Sequence, residues 1–120
     1  MKAYLVTLKD VMNQQFSSEI TLPEDSRPRL QEMYRLIGCN LVDVIQSQLP
    51  NGELVDVWID EEGLLTRGVK LGTKIRGFNE PLVGNLIVTG SPDSKGNPTP
   101  APDNFNIFDL VEQFGACRIG

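Results

Sequence analysis

The densest acidic group in the chain consists of Asp56, Asp60, Glu61 and Glu62. A pair of carboxylates can bind Mg²⁺, or can do acid–base chemistry when their environments separate their pKa values. The same residues precede Gly63, however, and acidic residues before a glycine are common turn residues. Their spacing does not match the calcium-binding loop, in which ligands alternate and a Glu closes the loop. The acidic group is therefore compatible with a turn and with a functional carboxylate pair, and we assign it no catalytic or metal-binding role.

Three groups of side chains could instead bind parts of a nucleotide. Two arginines flank a predicted helix start, where free amides and the helix dipole favour an anion. The segment 67–76 carries four cations and no anion, which suits either a phosphate or a solvated surface loop. An aromatic ring followed by an amide could hold a planar base. The candidate ligand-binding residues are Arg27, Arg29, Arg67, Lys74, Arg76, Phe78, Asn79, Asn85 and Arg118.

Composition excludes several classes of protein. The chain has no histidine and two cysteines, so one copy cannot assemble an ordinary zinc site or a Ser-His-Asp or Cys-His catalytic centre. The net charge of −5 argues against direct nucleic-acid binding. We therefore expect a binding protein without a cofactor, not an enzyme.

The chain has no apolar run of bilayer-spanning length and lacks the apolar core of a signal peptide. This pattern predicts a cytoplasmic protein that does not enter a membrane. Cys39 and Cys117 are consistent with reduced thiols, and their spacing demands no disulfide.

Hydrophobic periodicity predicts two strands and then a helix at the start of the chain. Residues 3–8 and 16–22 have strand patterns. Ser26 is expected to cap a helix with Pro28 in its first turn, and Gly38 is expected to end it. One helical face is formed by Leu30, Met33, Tyr34 and Ile37.

Three more strands are predicted at 40–46, 54–60 and 81–89, with the hairpin signal Asn51-Gly52 between the first two. Glycines interrupt any period in residues 64–80, which receive no assignment. Residues 90–104 contain four prolines and are expected to form a loop. The apolar residues of 105–114 predict a second helix, which Gly115 ends.

The resulting order, β-β-α-β-β-β-α, predicts one α+β domain over residues 1–120, with a mostly antiparallel sheet and two packed helices. Alternation places Val55 and Val57 on one face of their strand and Asp56 and Trp58 on the other. Trp58 therefore faces a second core under a helix, lies at an interface between chains, or forms part of a pocket wall.

Three stretches carry a resemblance to a known family. They are Leu36-Ile-Gly-Cys-Asn40, Asp56-Val-Trp-Ile-Asp-Glu-Glu-Gly-Leu-Leu65 and Pro81-Leu-Val-Gly-Asn-Leu-Ile-Val88. In this order they resemble small bacterial and bacteriophage proteins that are catalogued as a domain of unknown function. The resemblance implies a phage or mobile-element setting.

A more remote resemblance is to phage anti-defence proteins, such as those opposing Thoeris, which sequester cyclic nucleotide signals without turnover. It implies binding of a cyclic ADP-ribose isomer or a cyclic oligonucleotide by the candidate residues above. The alternative is a protein-binding inhibitor whose acidic surface imitates nucleic acid. A nucleotide pocket exceeds what a domain of this size usually encloses, so we predict at least a homodimer. Trp58 and the 105–114 helix are the expected pairing surfaces.

Overall fold

Two antiparallel sheets and one helix form the described part of the protein. The structure is a computed structural model that describes the backbone of residues 1–9, 14–62 and 68–119, and the side chains of residues 1–7, 17–62 and 72–112. The elements are β1 (Lys2–Lys9), β2 (Gln14–Thr21), α1 (Ser26–Ile37), β3 (Val42–Gln48), β4 (Leu54–Asp60), β5 (Gly68–Ile75), β6 (Leu82–Val83), β7 (Leu86–Gly90), α2 (Ile107–Leu110) and β8 (Val111–Ile119). One sheet has the order β2-β1-β7-β4-β3 and the other has the order β6-β5-β8.

The five-stranded sheet lies between α1 and the three-stranded sheet. Successive residues of its strands point to opposite faces of the sheet, so the sheet contributes side chains to a core on each face. On β4, Val55 and Val57 are fully buried in the core shared with the three-stranded sheet, together with Ile75 of β5. Trp58 points to the opposite face, where it packs in the core that includes Met33 of α1. The α+β class and the alternation predicted for β4 are thus confirmed.

The local signals for α1 and for the β3–β4 hairpin also give the observed elements. Strands β3 and β4 pair around the turn that contains Gly52, which has a φ of 93°. Helix α1 ends at Gly38, whose φ of 79° places it in the left-handed region. Its N-cap is Asp25 and not the predicted Ser26, and the Asp25 side chain makes no capping hydrogen bond.

The predicted second helix over 105–114 is wrong. Only the single turn α2 is helical, and from Val111 the chain continues as β8, which pairs with β5 with one register shift between Lys74 and Ile75. Gly72 faces Gly115 in this pair. The apolar spacing of 107–114 fits either period, and pairing with β5 decides in favour of the strand. The α+β domain therefore contains one full helix.

The strand predicted over 81–89 is divided between the two sheets. Leu82 and Val83 pair with β5, whereas Leu86 to Gly90 lie between β1 and β4. Gly84 separates them with a φ of 84°, which permits the change of direction.

The proline-containing segment after β7 is irregular but anchored. Gly90 N–H donates to Thr99 O at 3.2 Å, and the two residues form an isolated antiparallel bridge. A Cβ at Gly90 would lie 2.3 Å from Thr99 Oγ1 and 2.4 Å from Pro100 O. Only glycine permits this close approach.

Candidate functional site

A groove opens where the edge of the five-stranded sheet meets the turn between β5 and β6, and it has a volume of about 200 Å³. Its floor is apolar and is formed by Ile45, Ile59, Phe78, Leu82 and Val83. Four carboxylates, from Asp43, Asp60, Glu61 and Glu80, complete the lining. We call this site the Phe78 groove.

Long-range strand pairing brings the two walls of the Phe78 groove together. Asp43 of β3 lies opposite Ile59 of β4. The other wall follows β5, where Gly77 turns the chain with a φ of 85° and Phe78 N–H donates to Ile75 O at 3.2 Å. This turn directs the half-buried Phe78 ring toward the β3–β4 wall.

All charged side chains that the structure describes in the lining of the Phe78 groove are acidic. Among the residues whose side chains the structure describes, no lysine or arginine lines the groove. Asp43, Glu61 and Glu80 are exposed, whereas Asp60 is half-buried and its Oδ1 accepts a hydrogen bond from Glu62 N–H at 2.9 Å. An apolar floor under several carboxylates favours a cation that carries an apolar stem.

The thiol of Cys39 is affected by the same acidic surroundings. Burial raises the pKa of this thiol, and the negative charges of Asp60 and Glu62 raise it further. A raised pKa keeps the thiol protonated and therefore a poor nucleophile.

A second cavity, of about 440 Å³, lies beside the proline-containing segment. Its carboxylates come from Glu53, Asp103 and Asp109, and its described lining contains no lysine or arginine. At its rim Lys2 forms an ion pair with Asp103, which lowers the pKa of the carboxyl and raises the pKa of the amine. This cavity therefore also disfavours an anion.

The four predicted phosphate-binding cations whose side chains the structure describes do not converge within one chain. Arg27 is exposed, and the Arg29 guanidinium donates to Glu24 O at 2.6 Å, both at the start of α1. Lys74 pairs with Glu112 at 3.5 Å, and Arg76 is exposed, both on the three-stranded-sheet side. The five-stranded sheet separates the two pairs.

The two predicted asparagines also lie apart from each other. Asn79 is exposed next to the Phe78 groove. Asn85 is half-buried, and its amide donates to Leu36 O at 3.3 Å, which ties β7 to the end of α1. Arg67 and the side chain of Arg118 lie outside the described residues.

A polar network occupies the α1 side of the sheet near the start of β4. Asp56 is 8% exposed, and its Oδ1 accepts a hydrogen bond from Ser91 Oγ at 2.9 Å. Gln46 Nε2 donates to the same Ser91 oxygen at 3.2 Å. Burial raises the pKa of the Asp56 carboxyl, and the bond from Ser91 lowers it by a smaller amount. Trp58 Nε1 donates to the buried Thr89 Oγ1 at 3.0 Å beside this network.

The sequence does not identify two of the four carboxylates of the Phe78 groove. Asp43 and Glu80 were not singled out, because nothing near them in the chain marks them as neighbours. Asp60, Glu61 and Phe78 were noticed separately, and only the pairing of the two sheet edges joins them. Among the described residues, no three His, Cys, Asp or Glu side chains are arranged to hold a metal ion.

Residues 1–115 match the family described as Domain of unknown function (DUF3846), and the chain belongs to this family. The match extends well beyond the three central stretches that suggested it. No curated protein and no solved structure matches the chain. In the part of the chain that the structure describes, no helix has the length and apolar character needed to cross a bilayer.

Proposed function

We propose that this protein binds another protein, and that the Phe78 groove receives a lysine or arginine side chain of that partner. The observation that carries the proposal is the combination of an apolar floor with four carboxylates, since no cation lines the groove among the described side chains. The protein acts by occupying a basic surface and carries out no turnover. This function corresponds to the protein-binding inhibitor with an acidic surface.

The size of the groove supports a single side chain as the occupant. Pockets for small-molecule ligands usually measure roughly 300–1,000 Å³. The Phe78 groove measures about 200 Å³. The methylene stem of an Arg or Lys can lie on Ile45 and Ile59 while its cation meets the carboxylates. A cation over the Phe78 ring adds about 0.5–2 kcal/mol, depending on how far it is desolvated.

A labelled peptide, fluorescein-Thr-Arg-Val-Arg-Val-Thr-amide, tests the proposal by fluorescence anisotropy. The matched peptide replaces both arginines with citrulline, which keeps the shape and removes the charge. We expect the arginine peptide to bind at least about tenfold more tightly, which is about 1.4 kcal/mol, and to weaken with added salt. Equal affinity for the two peptides would overturn the proposal.

Two protein variants with the same charge change locate the binding. Glu80→Lys places a cation in the groove and should weaken binding about tenfold. Glu19→Lys lies on β2, at the opposite edge of the sheet, and should change binding by less than about twofold. An equal effect of the two variants would mean that the peptide responds to net charge and not to the groove.

The second candidate function is sequestration of a cyclic ADP-ribose isomer or a cyclic oligonucleotide in a phage anti-defence setting. One observation favours it: Arg27 and Arg76 are exposed, and neither guanidinium makes an ion pair with the residues that the structure describes. These arginines lie on opposite sides of the five-stranded sheet, so a shared phosphate site needs two copies of the chain. This function therefore depends on the proposed homodimer.

Thermal shift measurements with these nucleotides separate the two functions. Under sequestration, a cyclic ADP-ribose isomer raises the melting temperature of the wild type, and Arg76→Glu abolishes the rise while Glu80→Lys keeps it. If no nucleotide raises the melting temperature at millimolar concentration, sequestration is ruled out.

A further inference from the structure

In the part of the chain that the structure describes, no strand covers the outer edge of β3, and two hydrogen bonds show which of its residues face outward. Leu49 N–H donates to Glu53 O at 2.8 Å, and Glu61 N–H donates to Leu41 O at 3.1 Å. These bonds continue the β3–β4 register at both ends. Because bonded and non-bonded pairs alternate along an antiparallel ladder, the odd-numbered residues of β3 bond to β4. The outward backbone groups are therefore those of Val42, Val44, Gln46 and Gln48.

β3 is the last strand of its sheet, and no other described strand pairs with this edge. Native proteins usually protect such an edge with a charge, a bulge or a covering segment. Here the protection is a side chain: Val44 N–H donates to Asp43 Oδ1 at 2.8 Å. A side-chain acceptor of this kind can be exchanged for the backbone carbonyl of an added strand.

The Phe78 groove adjoins this edge directly. Asp43 and Ile45 point to the groove, whereas Val44 points to the opposite face, where it lies opposite Trp58 in the register and is 40% exposed. A strand added to β3 would place its alternate side chains on these same two faces. One set would enter the acidic groove, and the other would cover the apolar Val44.

We infer that the partner segment binds as an extended strand added to β3, with Arg or Lys on the groove face and β-branched residues on the Val44 face. The inference rests on the proposed function and specifies its partner. Backbone hydrogen bonds supply affinity in such strand addition, and the alternate side chains supply specificity. When the partner's carbonyl takes the Val44 N–H, the Asp43 carboxylate is released to pair with the partner's cation.

Charge selects a basic partner over a second copy of this chain. Pairing two copies through β3 would bring the carboxylates of two grooves together, including two copies of Asp43. Like charges that meet across a strand pair destabilise it. A basic strand has the opposite effect, since each of its cations meets carboxylates from both walls of the groove.

Backbone methylation of the labelled peptide distinguishes strand addition from simple side-chain insertion. One peptide carries N-methyl groups on its two arginine residues, and the other carries them on its two valine residues. In an added strand only alternate amides face β3. We therefore expect one methylated peptide to lose at least tenfold in affinity and the other to bind within threefold of the parent.

The protein variant Val44→Pro removes the outward N–H and leaves the odd-numbered bonds to β4 in place. This variant should bind the parent peptide at least tenfold more weakly than the wild type does. Val44→Thr, which keeps the N–H, should bind the peptide with an affinity within threefold of that of the wild type. Circular dichroism and the melting temperature verify that both variants fold. If Val44→Pro does not fold, the pair of methylated peptides decides alone.

Each result has a defined meaning. If both methylated peptides bind like the parent while the citrulline peptide does not, strand addition is overturned and the proposed function stands. If the citrulline peptide binds as well as the arginine peptide, the proposed function itself fails. If light scattering gives a dimer for the wild type and a monomer for folded Val44→Pro, a second copy occupies the edge and the basic partner is overturned.

Discussion

The hydrogen bond between Trp58 and Thr89 determines whether the indole supports the sheet or is available to another chain. Thr89→Val is nearly isosteric and removes one hydroxyl, which accepts from Trp58 Nε1 at 3.0 Å and donates to Gly90 O at 3.1 Å. Thr89 is 3% exposed, so water cannot freely replace the lost bonds.

The size of the effect follows from these two contacts. A hydrogen bond contributes about 0.5–1.5 kcal/mol net, and an unsatisfied buried group costs about 1–3 kcal/mol. We expect Thr89→Val to lower the free energy of unfolding by about 2 kcal/mol, which corresponds to a fall in melting temperature of roughly 8 °C for a chain of this length. Trp58→Phe should cost a similar amount through the lost donor and reduced packing.

Urea unfolding of the wild type, both single variants and the double variant measures the coupling. Far-UV circular dichroism is the suitable signal because Trp58 is the only tryptophan. We expect a coupling of about 1 kcal/mol, since either single variant removes the same bond. A coupling below about 0.3 kcal/mol would refute the reasoning. If Trp58→Phe then changed the oligomeric mass but not the stability, the indole would be an interface residue.

Three further predictions concern the anchored loop, the buried carboxylate and assembly. Gly90→Ala should lower the free energy of unfolding by about 1–3 kcal/mol, because its Cβ overlaps backbone and side-chain oxygens; an unchanged urea midpoint would contradict this. Burial raises the pKa of Asp56, so its stabilising contribution is complete below the unfolded pKa and is lost as the pH rises through the native pKa. The free energy of unfolding of Asp56→Asn, relative to that of the wild type, should therefore rise from about pH 4 upward. A difference between the two proteins that does not change with pH would contradict a raised pKa for Asp56. Light scattering at micromolar concentration should give the mass of at least two chains, and the mass of one chain would remove the interfacial nucleotide site.

Local signals were sufficient for much of the fold. The turn at Asn51-Gly52 and the helix that Gly38 ends depend on neighbours in sequence, and both appear as predicted. The β4 alternation likewise separates Val57 from Trp58. In each case the physical cause lies within a few residues of its effect.

The three-stranded sheet was not predicted because its strands identify each other only in space. Residues 68–75 contain two glycines and show no clear period, and 111–119 begin with helix-like spacing. Each stretch is ambiguous alone. Their register places Gly72 opposite Gly115 and Thr73 opposite Phe114, so both glycines become part of one ladder. Long-range pairing of this kind decides between periods that local propensity leaves equal.

The surroundings of Phe78 could not be predicted from the sequence for the same reason. An aromatic ring can stack on a nucleobase or accept a cation on its face, and the residue type alone does not choose between these roles. The charges around the ring determine which of these ligands it can contact. They come from β3, the end of β4 and the residues before β6. The charged residues that the structure describes around Phe78 are four carboxylates. A nucleotide at this ring would place its phosphate among like charges in a partly desolvated groove, whereas a basic side chain gains from every one of them. Phe78 stays a predicted ligand-binding residue, and its described neighbours support the proposal of a basic side chain over that of a nucleotide phosphate.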